Sequence, residues 1–274
     1  MTKKIELLAP AGDLQRVKVA FAYGADAVFL GGKKYSLRTR ASNFDIEDIK
    51  QACEVAKSYN GKIYVTCNIF ALNEDLLDLE DLKQYLIDLE NAGVDAIITS
   101  DLAIIDTCKK TCKRMQIHIS THLSSYNHKS LDFFKELGAT RVVLARETTM
   151  DELKEIANNT DIEIETFIHG AMCISYSGRC LLSNYLTNRD SNHGECVQAC
   201  RWKYSVIEET RLYKYAQECV KENPELEYFV FGHQHKPMQY NVDNGATVTV
   251  VGNWIRDFSY AVFDGKEIQL TVYN

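Results

Sequence analysis

Tyr23-Gly24-Ala25-Asp26-Ala27-Val28-Phe29-Leu30, Ala92-Gly93-Val94-Asp95-Ala96-Ile97-Ile98-Thr99 and Leu137-Gly138-Ala139-Thr140-Arg141-Val142-Val143-Leu144 are three versions of one phrase. In each, a glycine stands where a helix must end and a short apolar run follows. Glycine takes φ > 0 without a Cβ penalty and so closes a helix. A short, continuously apolar run suits a parallel strand covered on both faces. Working outward, residues 5–9, 63–66, 117–120 and 163–168 read the same way. Between them Ile46, Ile49, Cys53 and Ala56, and then Leu79, Leu82, Leu86 and Leu89, recur at helical spacing. Thr149 and Glu152 form the capping-box pattern ahead of Leu153 and Ile156. Seven strands in strict βα alternation predict an α/β protein with a TIM-like (β/α) barrel, although an eighth strand is not evident. Function is then expected at the strand C-terminal ends: residues 31–44, 67–70, 120–127, Arg146-Glu147, and His169 onward.

After about residue 208 the pattern changes. Residues 211–221 read as one helix, followed by β-runs at 228–231, 247–251, 260–263 and 268–272, with turn signals at Asp243-Asn244-Gly245 and Asp264-Gly265. The expected organisation is a barrel over residues 1–208 and a small β-rich C-terminal segment over 209–274.

The 274 residues are 46% hydrophobic with a formal net charge of −7. That suits a core-forming protein and argues against phosphate binding by overall charge. A local basic stretch, Lys33, Lys34, Arg38 and Arg40, interrupts the acidity. No apolar run reaches membrane-spanning length and no secretory leader is evident, which points to the cytoplasm.

Nine cysteines in a reducing compartment are not a disulfide framework. Cys53, Cys67, Cys108, Cys112 and Cys219 fall within helical or strand runs. Cys173, Cys180, Cys196 and Cys200 instead share one loop region with spacing C-x6-C-x15-C-x3-C, with Gly170, Gly178 and Gly194 to let the backbone wrap. Four thiolates so placed suit an iron–sulfur cluster or a tetrahedral zinc.

The run from Glu165 to Cys180, Glu165-Thr166-Phe167-Ile168-His169-Gly170-Ala171-Met172-Cys173-Ile174-Ser175-Tyr176-Ser177-Gly178-Arg179-Cys180, resembles the signature of the peptidase U32 family. Glu6-Leu7-Leu8-Ala9-Pro10-Ala11-Gly12, Arg40-Ala41-Ser42-Asn43-Phe44 and Arg141-Val142-Val143-Leu144-Ala145-Arg146-Glu147 support it. The resemblance implies a barrel-like domain and a 4Fe-4S cluster on Cys173, Cys180, Cys196 and Cys200. It further implies oxygen-independent hydroxylation, of RNA bases or of ubiquinone precursors. The branch with Ser177-Gly178-Arg179-Cys180-Leu181-Leu182-Ser183 and Cys200-Arg201-Trp202 resembles proteins that make 5-hydroxyuridine in tRNA with prephenate as oxygen donor. A departure is Ser120-Thr121-His122, where the family often has Ser-Thr-Gln.

His169, after the seventh strand, is expected to act as a proton donor or as a partner to a cluster sulfide. Arg38, Arg40 and Asn43 are expected to bind a carboxylate or phosphate of the substrate. The proteolytic alternative needs an activated nucleophile, for which Ser177 near His169 is the candidate.

Residues 228–237, ending Gly232-His233-Gln234-His235, together with 251–265, resemble the end of calcineurin-like metallophosphoesterases of the UDP-2,3-diacylglucosamine diphosphatase type. There His233 and His235 would ligate manganese or another divalent metal. The earlier ligands of such a site are missing, so the chain reads as a chimera with a phosphatase-like tail.

Overall fold

The computed structural model describes residues 5–37, 43–170, 172–204, 211–232, 237–252 and 258–272. They fall into two compact units, Met1–Trp202 and Lys203–Asn274. The first unit alternates β1 (Leu8–Pro10), α1 (Leu14–Ala22), β2 (Ala27–Gly31), α2 (Ile46–Ser58), β3 (Lys62–Cys67), α3 (Leu79–Ala92) and β4 (Ala96–Thr99). It continues through α4 (Leu102–Thr111), β5 (Gln116–Ile119), α5 (His128–Glu136), β6 (Arg141–Val143), α6 (Met150–Asn159) and β7 (Glu163–Glu165), with a short α7 (Leu182–Thr187) in the loop beyond. All seven strands are parallel and stand in chain order, β1 to β7. The expected βα alternation is therefore present, and among the described residues no eighth strand joins this sheet.

The three phrase glycines do what their chemistry predicts: Gly24, Gly93 and Gly138 have φ of 98°, 97° and 105°. At α3 the cap is Gly93 itself, whose N–H closes back on Leu89 and Glu90 carbonyls. The Thr149–Glu152 capping box is formed, and a second, Asp45 with Asp48, opens α2. Ile49, Cys53 and Ala56, like Leu82, Leu86 and Leu89, are buried; Leu79, in the first turn of α3, is exposed.

Strand alternation sorts the side chains. Val28, Leu30, Ile63, Val65, Ile97, Ile117, Ile119 and Val142 belong to the main core with the helices. Their neighbours Ala27, Tyr64, Ala96 and Ile98 form a separate cluster, and His118 and Arg141 share that inward phase. His118 is fully buried with its ring edge-on to Tyr64 at 4.6 Å, and burial with the nearby Arg141 charge lowers its imidazole to about 3.

Arg141 spans the opening between the two ends of the sheet. From β6 its guanidinium donates to Glu6, just before β1, at 2.7 Å, and to Glu163 and Glu165 of β7 at 3.0 and 3.4 Å. Lys62 and the Tyr64 hydroxyl also donate to Glu6, at 3.0 and 2.8 Å. Burial works to raise the Glu6 carboxyl, but the bonds from Arg141, Lys62 and Tyr64 prevail and hold it at about 2.

The second unit holds α8 (Arg211–Glu222) and β8 (Tyr228–Phe231), β9 (Met238–Asn241) and β10 (Thr247–Val250), in the order β8-β10-β9. β8 is parallel to β10, and β9 is antiparallel to it across the Asp243–Gly245 turn. A separate hairpin pairs β11 (Ser259–Phe263) with β12 (Ile268–Val272). Strand β9 was not anticipated: Met-Gln-Tyr-Asn carries little β signal, and only pairing with β10 makes it a strand. Among the described residues, no helix is long and apolar enough to cross a membrane.

Replacing Arg141 by Met removes the cation shared by the partly buried Glu6 and Glu165, leaves only Lys62 on Glu6, and is expected to cost about 2–3 kcal/mol, read from chemical denaturation. Because the Glu6 value is depressed in the folded state, its stabilisation is whole above pH 4.5 and is lost as pH falls toward 2. An Arg141→Met midpoint within error of wild type at pH 7 would contradict this role.

Candidate functional site

A cavity of about 320 Å³ opens at the C-terminal ends of the strands. Six strands and the residues just after them contribute to it: Phe29 from β2, Thr66 and the following Asn68 from β3, Ile98 from β4, Ser120, Thr121 and His122 after β5, Val143 from β6 and Arg146 after it, and Glu165 from β7 and Phe167 after it. The remaining wall is the cysteine loop, and Cys173, Cys180, Cys196 and Cys200 all line the cavity. Among the described residues, no three His, Cys, Asp or Glu side chains gather closely enough to hold a single metal ion. The four thiols thus share a wall without converging on a point.

Specific bonds hold this loop on the barrel. Ser177 is fully buried, and its N–H and hydroxyl both donate to the Glu147 carboxylate, at 2.6 and 2.9 Å; the Tyr126 hydroxyl donates to the same carboxylate at 3.1 Å. Burial would raise Glu147, but these donors lower it. The Asn192 side chain clamps the Cys180 backbone, accepting from its N–H at 3.1 Å and donating to its carbonyl at 3.0 Å. The neighbouring His193 ring bonds Asp75 at 2.8 Å, and the Phe70 N–H donates to the Asn192 carbonyl. Arg179 donates from Nε to the His122 carbonyl at 3.0 Å.

The loop also stores backbone strain. Ser177, Asn188 and Gln198 have φ of 48°, 56° and 56°, and Gly170, Gly178 and Gly194 are left-handed too. Such conformations cost free energy and persist only where the surroundings impose them. At Gly178 a Cβ would lie 2.7 Å from His122 Nε2 and 3.4 Å from an Arg146 guanidinium nitrogen.

Donors surround the thiols. Burial tends to raise Cys180, but hydrogen bonds from Ser175, the Ser183 and Leu182 N–H groups and Ser191 lower it. The Cys196 sulfur accepts from the Gln198 N–H at 3.3 Å. Such donors favour thiolate over thiol, the state that ligates metals and clusters.

The structure does not bring every expected residue here. His169 is exposed on the loop beyond β7 and does not line the cavity; the chain has already left the strand end, and the next residue, Gly170, takes φ of 132°. The histidine that lines the cavity is His122. Burial, with Arg146 and Arg179 nearby, lowers it to about 4, so it is neutral at pH 7. Asn43 stands next to the Gly32–Phe44 bridge, outside the cavity lining. Arg38, Arg40, His233 and His235 lie outside the described residues. Ser177 cannot serve as the nucleophile proposed for it, because its hydroxyl is buried and directed at Glu147. Asn68 and Arg146 fall in strand-end segments expected to carry function, 67–70 and Arg146-Glu147, without having been singled out, and Glu165 was not expected.

The match to the family model described as "Peptidase family U32" covers residues 12–242, and the chain belongs to that family. It is similar to tRNA hydroxylation protein P1 of Bacillus subtilis (strain 168), 55% identical over 208 residues, 76% of this chain and 49% of that protein. Similarity to tRNA hydroxylation protein P of Escherichia coli (strain K12) is 44% over 207 residues, 75% of this chain and 45% of that protein. With the 23S rRNA 5-hydroxycytidine C2501 synthase of Escherichia coli (strain K12) it is 38% over 203 residues, 74% and 30%. The chain thus spans about half the length, or less, of these curated relatives. Its fold is similar to that of the U32 peptidase Mk0906, with a TM-score of 0.51 at 13% identity, over 61% of this chain and 70% of that one.

Gly178→Ala is expected to push His122 and Arg146 out of place and, through its positive φ, to cost about 1–2 kcal/mol. Glu147→Gln is expected to speed amide exchange across residues 175–200 with little effect on β2 to β5. Uniform exchange in both regions would show that the Glu147 clamp does not hold the loop.

Proposed function

We propose that this chain belongs to an oxygen-independent RNA-hydroxylating protein, acting on tRNA uridine in the cytoplasm with prephenate as the oxygen donor. The observation that carries the reading is that Cys173, Cys180, Cys196 and Cys200, from separate turns of a strained loop, line one cavity at the barrel mouth. The names of the relatives, tRNA hydroxylation proteins and an rRNA hydroxycytidine synthase, support RNA as the substrate class.

The four cysteines would hold a 4Fe-4S cluster. Four thiols on one cavity wall are the ligand number of a 4Fe-4S cluster and equally of a tetrahedral zinc, and the resemblance of residues 165–180 to the U32 signature favours the cluster. A bound cluster supplies one-electron chemistry tuned by the hydrogen bonds to its sulfurs. Ser175 and the Leu182 and Ser183 N–H groups provide such bonds at Cys180. Phe29, Ile98 and Val143 give the cavity an apolar floor that limits water. Tyr176 and Trp202, exposed on the loop, offer faces on which unpaired bases can stack.

For the C-terminal unit, the resemblance of residues 228–265 supports a metallophosphoesterase-like appendage without catalysis of its own, His233 and His235 being its remaining metal ligands. The family match reaches residue 242, so the unit is not foreign throughout. Hydrolase activity, peptidase or phosphatase, is the weaker reading, since Ser177 is committed to Glu147.

Anaerobically purified protein is expected to be brown, with about four iron and four sulfide per chain. Each of the four cysteine-to-serine substitutions should remove most of the iron. In cells lacking their own uridine hydroxylation, the chain should restore 5-hydroxyuridine, measured by mass spectrometry of tRNA nucleosides, and the serine variants should lower it at least tenfold. Colourless protein without iron would end the cluster assignment. Turnover of casein, or of a phosphodiester with manganese, would favour the hydrolase instead.

A further inference from the structure

We infer that Arg146 is the anion-binding residue of the barrel-mouth cavity, and that its ligand is a small carboxylate with an apolar body. The inference rests on the proposed function for the location of the reaction, and adds which residue holds the small-molecule reactant.

Two other arginines of this unit, among the described residues, are already engaged. Arg141, at the opposite end of the barrel, is bound to Glu6, Glu163 and Glu165. Arg179 is exposed, donates to the His122 carbonyl and lies over the Phe70 ring. Arg146 lines the cavity, half-buried, with its guanidinium over the Phe167 ring at 4.8 Å. It has no carboxylate partner among the described residues; its neighbour Glu147 serves Ser177 instead. A half-buried guanidinium facing a cavity without a counter-ion is a site prepared for an anion.

The lining hydroxyls narrow the chemistry. Thr121 donates to the Leu144 carbonyl and Ser191 to the Cys180 carbonyl, while Thr66 is paired with Ser36. Ser120 Oγ accepts the His122 N–H and lies 3.0 Å from His122 Nδ1. If Ser120 donates there, the ring hydrogen sits on Nε2, beside Gly178 and Arg146. Asn68 accepts from the Leu37 N–H through Oδ1, which leaves its amide hydrogens for the cavity. Among the described residues, the donors available to a ligand are thus Arg146, Asn68 Nδ2, the Ser183 hydroxyl, whose oxygen accepts the Val197 N–H, and, in that tautomer, His122 Nε2–H.

The lining also includes Phe29, Ile98 and Val143, which suit a carbon framework. Glu165 also faces the cavity, but its carboxylate lies 3.4 Å from Arg141, so the positive pole is at Arg146. A volume of about 320 Å³ is at the small end of ligand pockets. It admits a small molecule rather than a length of polynucleotide backbone, and the planar guanidinium fork matches a carboxylate.

The test is calorimetric titration of the anaerobic full-length chain with prephenate, phenylpyruvate and citrate. Wild type is compared with Arg146→Gln and with Arg146→Lys, which keeps the charge and loses the fork. Iron content, thermal midpoint and tRNA affinity are measured alongside. Arg146→Gln is expected to weaken carboxylate binding about 10- to 100-fold, and Arg146→Lys less, with iron, midpoint and tRNA affinity unchanged. Arg146-dependent binding of phenylpyruvate without prephenate would uphold the inference and remove prephenate from the proposed function, whereas binding of citrate alone would overturn the apolar-body assignment. Equal carboxylate affinity in wild type and Arg146→Gln overturns the inference. So does the absence of any carboxylate binding by wild type, or a loss confined to tRNA affinity, which would make Arg146 a phosphate contact.

Discussion

The ion cluster around Arg141 is the interaction on which the barrel depends. Seven parallel strands in chain order leave two free edges, and unpaired strand edges are a liability. Here one guanidinium, almost fully buried on β6, binds Glu6 beside β1 and Glu163 and Glu165 of β7. Charge-assisted bonds thus draw the sheet ends toward each other where the described residues supply no eighth strand. The cost of burying these charges is met by mutual satisfaction: Lys62 and Tyr64 complete the Glu6 carboxylate. Once the sheet is curled, its C-terminal ends must face one another, and a cavity between them follows from the geometry.

The cysteine loop completes that cavity at a conformational cost. Three non-glycine residues with positive φ and three left-handed glycines within residues 170–198 would not persist in an isolated peptide. The Glu147 carboxylate with Ser177, and the Asn192 side chain with Cys180, hold the strain in place. Both clamps lie next to cavity residues, Glu147 beside Arg146 and Asn192 beside Ser191. Loop placement and site geometry are therefore one mechanical problem. At the same residue, Ser175 and the Leu182 and Ser183 N–H groups bring donors to the sulfur.

The two units differ in how much their sequences reveal. In the barrel, local rules and tertiary demands agree: Gly93 caps a helix, Thr149 and Glu152 box another, and alternate strand residues separate outward Val28 and Ile63 from inward Ala27 and Tyr64. In the second unit, the Asp243–Gly245 turn was legible, but its strand β9 was not. The parallel pairing of β8 with β10 also skips over the intervening chain. Strand identity there is conferred by partners rather than by composition.

The sequence by itself determined the βα alternation, the helix stops and caps, and the four cysteines as a set, because each is written in residues close along the chain. Only the tertiary structure decided that Arg146, His122 and Asn68 meet at one cavity with those cysteines while His169 remains outside it. Those residues come from different strand ends, and their proximity depends on how far the sheet curls. That curl is set by contacts such as Arg141 with Glu6, whose partners are 135 positions apart, and no local pattern encodes it.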